Sequence, residues 1–203
     1  MKLSSYFLVR HGGHFYILNM KSRFLALFAP LFLTHCLTYA SDALVAPVKK
    51  LEWLAAQMEV LAVAVEADGI LDIDELADID DNWSHDLAQS RLDDNLQRYF
   101  QSIVEKGDSP FVDLILLGSQ GETLASWPIT ERFWQGSEAH FVYVMADEQT
   151  FIDQLSLNQT NDELSAAISV PVKDTEGELF GVLRARVQAS LQSLTNLRND
   201  MGL

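Results

Sequence analysis

The sequence predicts an α+β domain: an antiparallel sheet of about five strands with helices gathered ahead of it. Three observations predict it. Apolar residues recur at helical spacing between residues 51 and 103. Runs of strand length, continuous or alternating, follow from residue 111. Tight turns containing glycine then join two pairs of those runs into hairpins. At 203 residues the chain suits one such domain behind a removable leader. Its 48% hydrophobic content is enough for a real core.

The elements follow in order. Residues 1–40 read as a leader. From Met20, Lys21 and Arg23 form a positive region, Phe24 to Leu37 a short apolar run interrupted by Pro30, and Ala40 a small residue at the cleavage position before Ser41-Asp42. This is the pattern of a secretory signal peptide over residues 20–40, and the run is shorter than the roughly 20 residues a spanning helix needs. Met20 is the better start, because residues 1–19 add nothing to a leader. Cys36, the sole cysteine, lies in Leu33-Thr34-His35-Cys36, which matches a lipidation box at three positions but carries a bulky His35 where a small residue is wanted. A lipoprotein anchored at Cys36 is therefore the alternative to a protein released at Ala40. Released, the chain keeps no cysteine and no stable membrane insertion, and disulfides play no part in it.

Residues 41–109 read as a helical segment. Leu51, Leu54, Met58, Leu61 and Val65 share one helix face, and Asp68-Gly69 ends the run. A second helix starts at Ser84, an N-cap with Asp86 in the first turn, and carries Leu92, Leu96, Tyr99 and Ile103 as one stripe until Gly107-Asp108-Ser109-Pro110. Core packing explains both stripes. Between them, EADGILDIDELADIDDNW places Asp68, Gly69, Asp72 and Glu75 where a calcium loop has its fifth, sixth, ninth and twelfth positions. Ala64 sits where the leading Asp belongs, and a helix-loop-helix with solvated acids explains the same residues. No metal site is assigned; Asp68, Asp72 and Glu75 are weak candidates.

Residues 110–190 carry the sheet. Phe111 to Leu117 is a buried strand, Gly118-Ser119-Gln120-Gly121 a turn, and Glu122 to Trp127 the return strand ended by Pro128. Phe141 to Met145 reads as a third strand. Ala166 to Val172 and Leu179 to Val187 form the last hairpin around Asp174-Thr175-Glu176-Gly177. Leu183, Ala185 and Val187 alternate with Arg184 and Arg186, so one face is buried and the other polar. Residues 191–203 are left as a tail.

Between the second and third runs lies a loop, Ile129 to Phe141, rich in aromatic and charged residues. Apolar walls with a few fixed polar groups are what a pocket for a small polar molecule needs. Arg132, Phe133, Trp134, Glu138, Phe141 and the nearby Tyr143 are the candidate ligand-binding residues. The alternative is a structural loop whose Trp134 plugs the core.

Two motifs carry a resemblance. Trp134-Gln135-Gly136-Ser137-Glu138, and Val170-Pro171-Val172-Lys173-Asp174 with Gly177 and Gly181-Val182-Leu183, stand in an order and at separations similar to those of free-standing bacterial Cache (PDC-type) sensor domains. The resemblance covers roughly half of the chain after the leader. It implies a PAS-like antiparallel sheet with an N-terminal helix packed across it, a single extracytoplasmic domain, and a ligand held between the sheet and the loop after the second strand. Arg132-Phe133-Trp134 also resembles the Arg-x-Trp of amino-acid-binding members, in which the arginine holds a carboxylate. Arg132 and Phe133 depart from the family, standing where Asp and Tyr are more common, and Ser137 stands where an aspartate is common.

Charge and composition narrow the function. The first 40 residues hold four of the 14 Lys and Arg and no acid, which leaves 10 basic against 29 acidic residues, a formal net charge of −19. Such a surface repels nucleic acid and anionic headgroups. After the leader only His85 and His140 are imidazole bases and no thiol is available, so an enzyme is not expected. Neither a Gly-rich phosphate loop nor Cys/His metal spacing is present, and no cofactor is expected. The reading is a periplasmic module that binds a small polar molecule, an amino acid or organic acid, and signals in trans through a membrane receptor, kinase or cyclase. A structural or interaction domain of the same fold is the alternative.

Overall fold

The computed structural model describes residues 5–11, 14–20, 43–58, 72–158, 162–174 and 176–203. Five strands make the body of the sheet: β3 (Phe111–Leu117), β4 (Thr123–Trp127), β5 (Phe151–Asn158), β6 (Glu163–Lys173) and β7 (Leu179–Ser190). They run antiparallel in the order β5-β6-β7-β3-β4. This is the α+β, PAS-like arrangement that the sequence implies. Two further strands, β1 (Ser5–His11) and β2 (His14–Met20), form a hairpin whose second member joins the β5 edge in parallel at Leu18 and Leu155. That hairpin falls within the expected leader. Residues 21–40 of the expected signal peptide, Cys36 among them, lie outside the described residues.

The back face of the sheet holds the core. Leu114 and Leu116 of β3, Leu164, Ala166, Ile168, Val170 and Val172 of β6, and Leu183, Ala185 and Val187 of β7 are all buried there. Helices cover them. The first, α1, is described over residues 43–58 and buries Leu51, Leu54 and Met58, three of the residues its stripe predicted. Leu61 and Val65 of the same stripe, with Asp68 and Gly69, lie outside the described residues. Burying side chains of this size contributes about 1.5–3 kcal/mol each, and this layer is where the fold draws its stability.

The second predicted helix, from Ser84 to Ile103, is broken into two, and a further helix precedes it. In chain order the three are α2 (Ile73–Asp81), α3 (His85–Arg91) and α4 (Asp94–Val104). Asp72 caps α2 by accepting the Glu75 N–H at 2.8 Å, so residues 73–81 of the acidic segment are helical and the Asp72 carboxylate serves the backbone. Glu75 itself is exposed. Ser84 caps α3 as expected. The stripe then breaks at Leu92, whose backbone is extended, and Asp93 starts α4 by accepting from Leu96 N at 2.7 Å. Leu96 and Phe100 of α4 complete the back layer.

Two expectations are corrected. Phe141 to Met145 is not a strand but part of α5 (Ala139–Asp147). Phe141 and Val144, three apart, are buried, whereas Val142 and Tyr143 are about half exposed, a helical and not an alternating pattern. The third strand of the sheet body is instead β5, which the sequence did not suggest. Its alternation is broken by a bulge between Asp153 and Ser156, with Gln154 at φ 52°. The final residues expected as a tail include a helix, α6 (Leu191–Asp200), capped by Ser190 and burying Leu194 against the back layer.

Candidate functional site

The front face is built differently from the back. On β6 the residues that alternate with the core are Ser165, Ala167 and Ser169; on β7 they are Val182, Arg184 and Arg186; on β3 they are Asp113, Ile115 and Leu117. One half is apolar and takes α5, where Phe141 and Val144 pack on Ile115, Leu117 and Val182. The other half is polar. Arg186 pairs with Asp113 at 3.0 Å, and Arg184 faces Asp153 at 3.9 Å. The bulge in β5 delivers Asp153 to this face.

Where the two halves meet, the described residues leave three buried side-chain atoms without a hydrogen-bond partner: His140 Nε2, Asp153 Oδ1 and Arg184 Nε. They come from α5, β5 and β7. Buried polar groups are ordinarily paired, and an unpaired one costs about 1–3 kcal/mol. Three in one place mark a spot built for something polar. Burial, with the Arg184 charge adding to it, holds the His140 imidazole down at about 3. Burial also raises the Asp153 carboxyl above its ordinary value; Arg184 opposes that shift and Glu138 adds to it. The patch therefore offers a fixed guanidinium, a neutral imidazole and a reluctant carboxylate, a set able to grip a small molecule carrying a carboxylate and a hydrogen-bonding group.

The loop singled out in the sequence lies beside this spot and is held from two sides. The Phe133 and Trp134 N–H groups donate to Asp80 Oδ1 at 2.7 and 2.9 Å. Trp83 Nε1 donates to the Thr130 carbonyl at 2.9 Å, and the Trp83 ring lies 4.9 Å from that of Phe133. On the other side, Thr123 N donates to Phe133 O and Gln135 N to Gly121 O, both at 2.8 Å, while Trp134 Nε1 donates to Gln120 O. Gly121 has φ +83°, and a Cβ there would run into the Gly136 backbone. Only glycine allows this approach.

Each sequence-predicted residue can now be placed. Arg132 is half exposed and bridges Asp80 Oδ2 at 3.2 Å and Glu138 Oε1 at 2.7 Å. Phe133 is buried with Leu76 and Ile79 of α2, and Trp134 packs against that cluster. Glu138 is the N-terminal flank of α5, Phe141 is buried under the helix, and Tyr143 stacks at 5.0 Å on Phe151 while half exposed. Glu138, Phe141 and Tyr143 thus sit on the element that covers the orphaned atoms. Arg132, Phe133 and Trp134 sit at the junction with α2. Asp80, Asp153 and Arg184 were not singled out. The alternation around Arg184 was a usable signal for the last; Asp80 and Asp153 depend on contacts 52 and 31 positions away, with Arg132 and Arg184.

A groove of about 700 Å³ lies elsewhere, between Glu52 and Ala55 of α1, the turn at Glu148 to Thr150, and the β6–β7 turn. Its polar groups satisfy one another: Thr150 Oγ1 donates to Glu52 and Lys173 Nζ to Glu148. The orphaned atoms on the front face therefore make the better candidate. Among the described residues, no group of three metal-ligating side chains exists and no helix is long and apolar enough to cross a membrane.

No protein-family model matches this sequence, and no curated protein matches it. Solved structures do. The ligand-binding domain of the Pseudomonas aeruginosa PAO1 amino acid chemoreceptor PctC, in complex with GABA, is 19% identical with a TM-score of 0.41, over 83% of this chain and 65% of that one. The sensor domain of the V. cholerae histidine kinase DctB is 19% identical with a TM-score of 0.36, over 82% and 58%. The E. coli DcuS sensor domain is 12% identical with a TM-score of 0.35, over 74% and 98%. The chain spans less than two thirds of the length of the first two.

Proposed function

We propose that this chain is a periplasmic sensing module, exported by the signal peptide at residues 20–40, that binds a small carboxylate-bearing molecule between α5 and the front face of the sheet. The orphaned trio of His140, Asp153 and Arg184 carries the reading. Arg184 takes the carboxylate, His140 and Asp153 take the ligand's polar groups, and Phe141 and Tyr143 form the apolar wall. Glu138 and Arg132 fix the start of α5, and Phe133 and Trp134 hold the loop in place. No catalytic step is part of this reading. The bound state is passed in trans to a membrane receptor, kinase or cyclase. An interaction module without ligand is the second reading, favoured by Trp53, which stands 58% exposed on α1.

A thermal-shift screen against amino acids, organic acids, amines and purines, followed by calorimetry on the hits, tests it. A carboxylate hit is expected to lose roughly ten- to a hundredfold in affinity in Arg184→Gln, the range for one lost charged hydrogen-bonding group. Arg132→Ala is expected to cost less than threefold. A hit that binds Arg184→Gln unchanged would remove the front face from the site, and one that depends on Arg132 and Trp134 alone would move the ligand to the loop.

A further inference from the structure

We propose that α5 is an acid-released latch: protonation of His140 lifts the helix from the front face and uncovers the Asp153–Arg184 pair. The inference goes beyond the ligand reading and does not need it.

The geometry carries it. His140 is 5% exposed and lies on the side of α5 that faces the sheet, beside Phe141. Its Nε2 has no partner, so the ring can take up a proton there without breaking a bond, but it has no acceptor to receive it. α5 packs on β5, β6 and β7. From β5 the charged front-face group is Asp153, set against Arg184 at 3.9 Å. From β7 it is Arg184, while Arg186 is occupied by Asp113 of β3. From β6 the front-face residues nearest the ring's end of the helix are Ser165, Ala167 and Ser169, none of them titratable, while Lys173 at the strand's end pairs with Glu148 at the C-terminal cap of α5 at 2.6 Å. On its own element the nearest is Glu138, bound to Arg132. A charged His140 would thus lie buried against a guanidinium, with one half-committed carboxylate to offset it.

The hold that this charge must overcome is small. The apolar contact of α5 is the cluster of Ile115, Leu117, Phe141, Val144 and Val182, whereas the back layer is several times larger. Release of α5 therefore leaves the core intact.

The sign is as follows. The His140 imidazole sits at about 3 when packed and near 6.5 when released, because burial and then Arg184 disfavour its charge. The packed state binds fewer protons below pH 6.5, so packing weakens as pH falls from there, by up to about tenfold in the open-to-closed ratio per pH unit. Asp153 works the other way. Its carboxyl is raised when packed, so its protonation favours the packed state and blunts the response.

Hydrogen exchange on the full chain at pH 7.5 and 5.0, corrected for intrinsic exchange, tests the latch. Peptides over 139–147 are expected to lose more than tenfold in protection at pH 5.0 while those over 163–173 and 179–190 hold. His140→Leu is expected to abolish the response. If that variant does not fold, His140→Gln serves, and the wild-type imidazole can be followed by NMR, where it should stay neutral until α5 opens. Unchanged α5 protection, an equal response in the variants, or simultaneous loss in β6 and β7 would each overturn the proposal. A ligand screen without hits, beside an acid-released α5, would sink the ligand reading and leave the latch standing.

Discussion

The carboxylate of Asp80 accepts the backbone N–H groups of Phe133 and Trp134 on one oxygen and faces the Arg132 guanidinium with the other. Its side chain is 16% exposed, so these bonds are largely screened from water. Replacing it with Ala leaves two inward-facing N–H groups unpaired and should cost about 2–4 kcal/mol in urea unfolding. Arg132→Ala, at a half-exposed position, should cost less than about 1 kcal/mol. Equal costs would mean that the ion pair, and not the backbone anchoring, holds the loop. In the sequence the loop announced itself by its aromatic and charged residues. Asp80 did not, because it stands in a run of acids where nothing local separates it from Asp78 or Asp81. The pairing of Arg132 was only half visible: Glu138 stands six positions away, whereas Asp80 is 52 positions away.

Among the elements, the two hairpins and the helix start at Ser84 were legible because their signals are local: a glycine turn between two apolar runs, or a Ser ahead of a helical stretch; the starts at Asp72, Asp93 and Ser190 were not read as caps. The strand at Phe111–Leu117 matched its predicted span, and both last strands extended theirs by a few residues. α5 and β5 were not legible. The first is a short run of apolar and β-branched residues whose helical state is decided by packing on the sheet. The second has its period interrupted by the bulge that also aims Asp153, so the same irregularity hid the strand and half of the candidate site. Two neighbouring valines test the helix. On a strand Val142 and Val144 would share a face and cost alike; on α5 Val144 is fully buried and Val142 is 50% exposed. Val144→Ala should therefore cost about 1.5–2.5 kcal/mol in chemical unfolding and Val142→Ala less than about 0.5. Similar losses at both positions would return residues 141–145 to a strand.

For the molecule as a whole, the two faces of one sheet divide the labour: the back face is uniformly apolar and packs helices, while the front face mixes a small apolar patch with two arginines and two aspartates. The chain that carries this face is strongly acidic overall. The formal net charge is −15 for the chain and −19 beyond residue 40. A carboxylate approaching Arg184 must cross a repulsive field of long range before it meets an attractive one of short range. Salt screens the first more than the second, since exposed charges lose their influence over about 10 Å at 0.1 M while a buried guanidinium is shielded far less. The affinity of an anionic ligand should accordingly rise severalfold between 20 and 300 mM sodium chloride (a range set by that screening length), and calorimetric titrations at fixed pH would follow it. An amine or other cation drawn to the acidic surface should show the reverse. A carboxylate whose affinity falls with salt would be bound by exposed cations such as Arg186 or Lys173, not by Arg184 beneath α5, and the front-face site would then have to be given up.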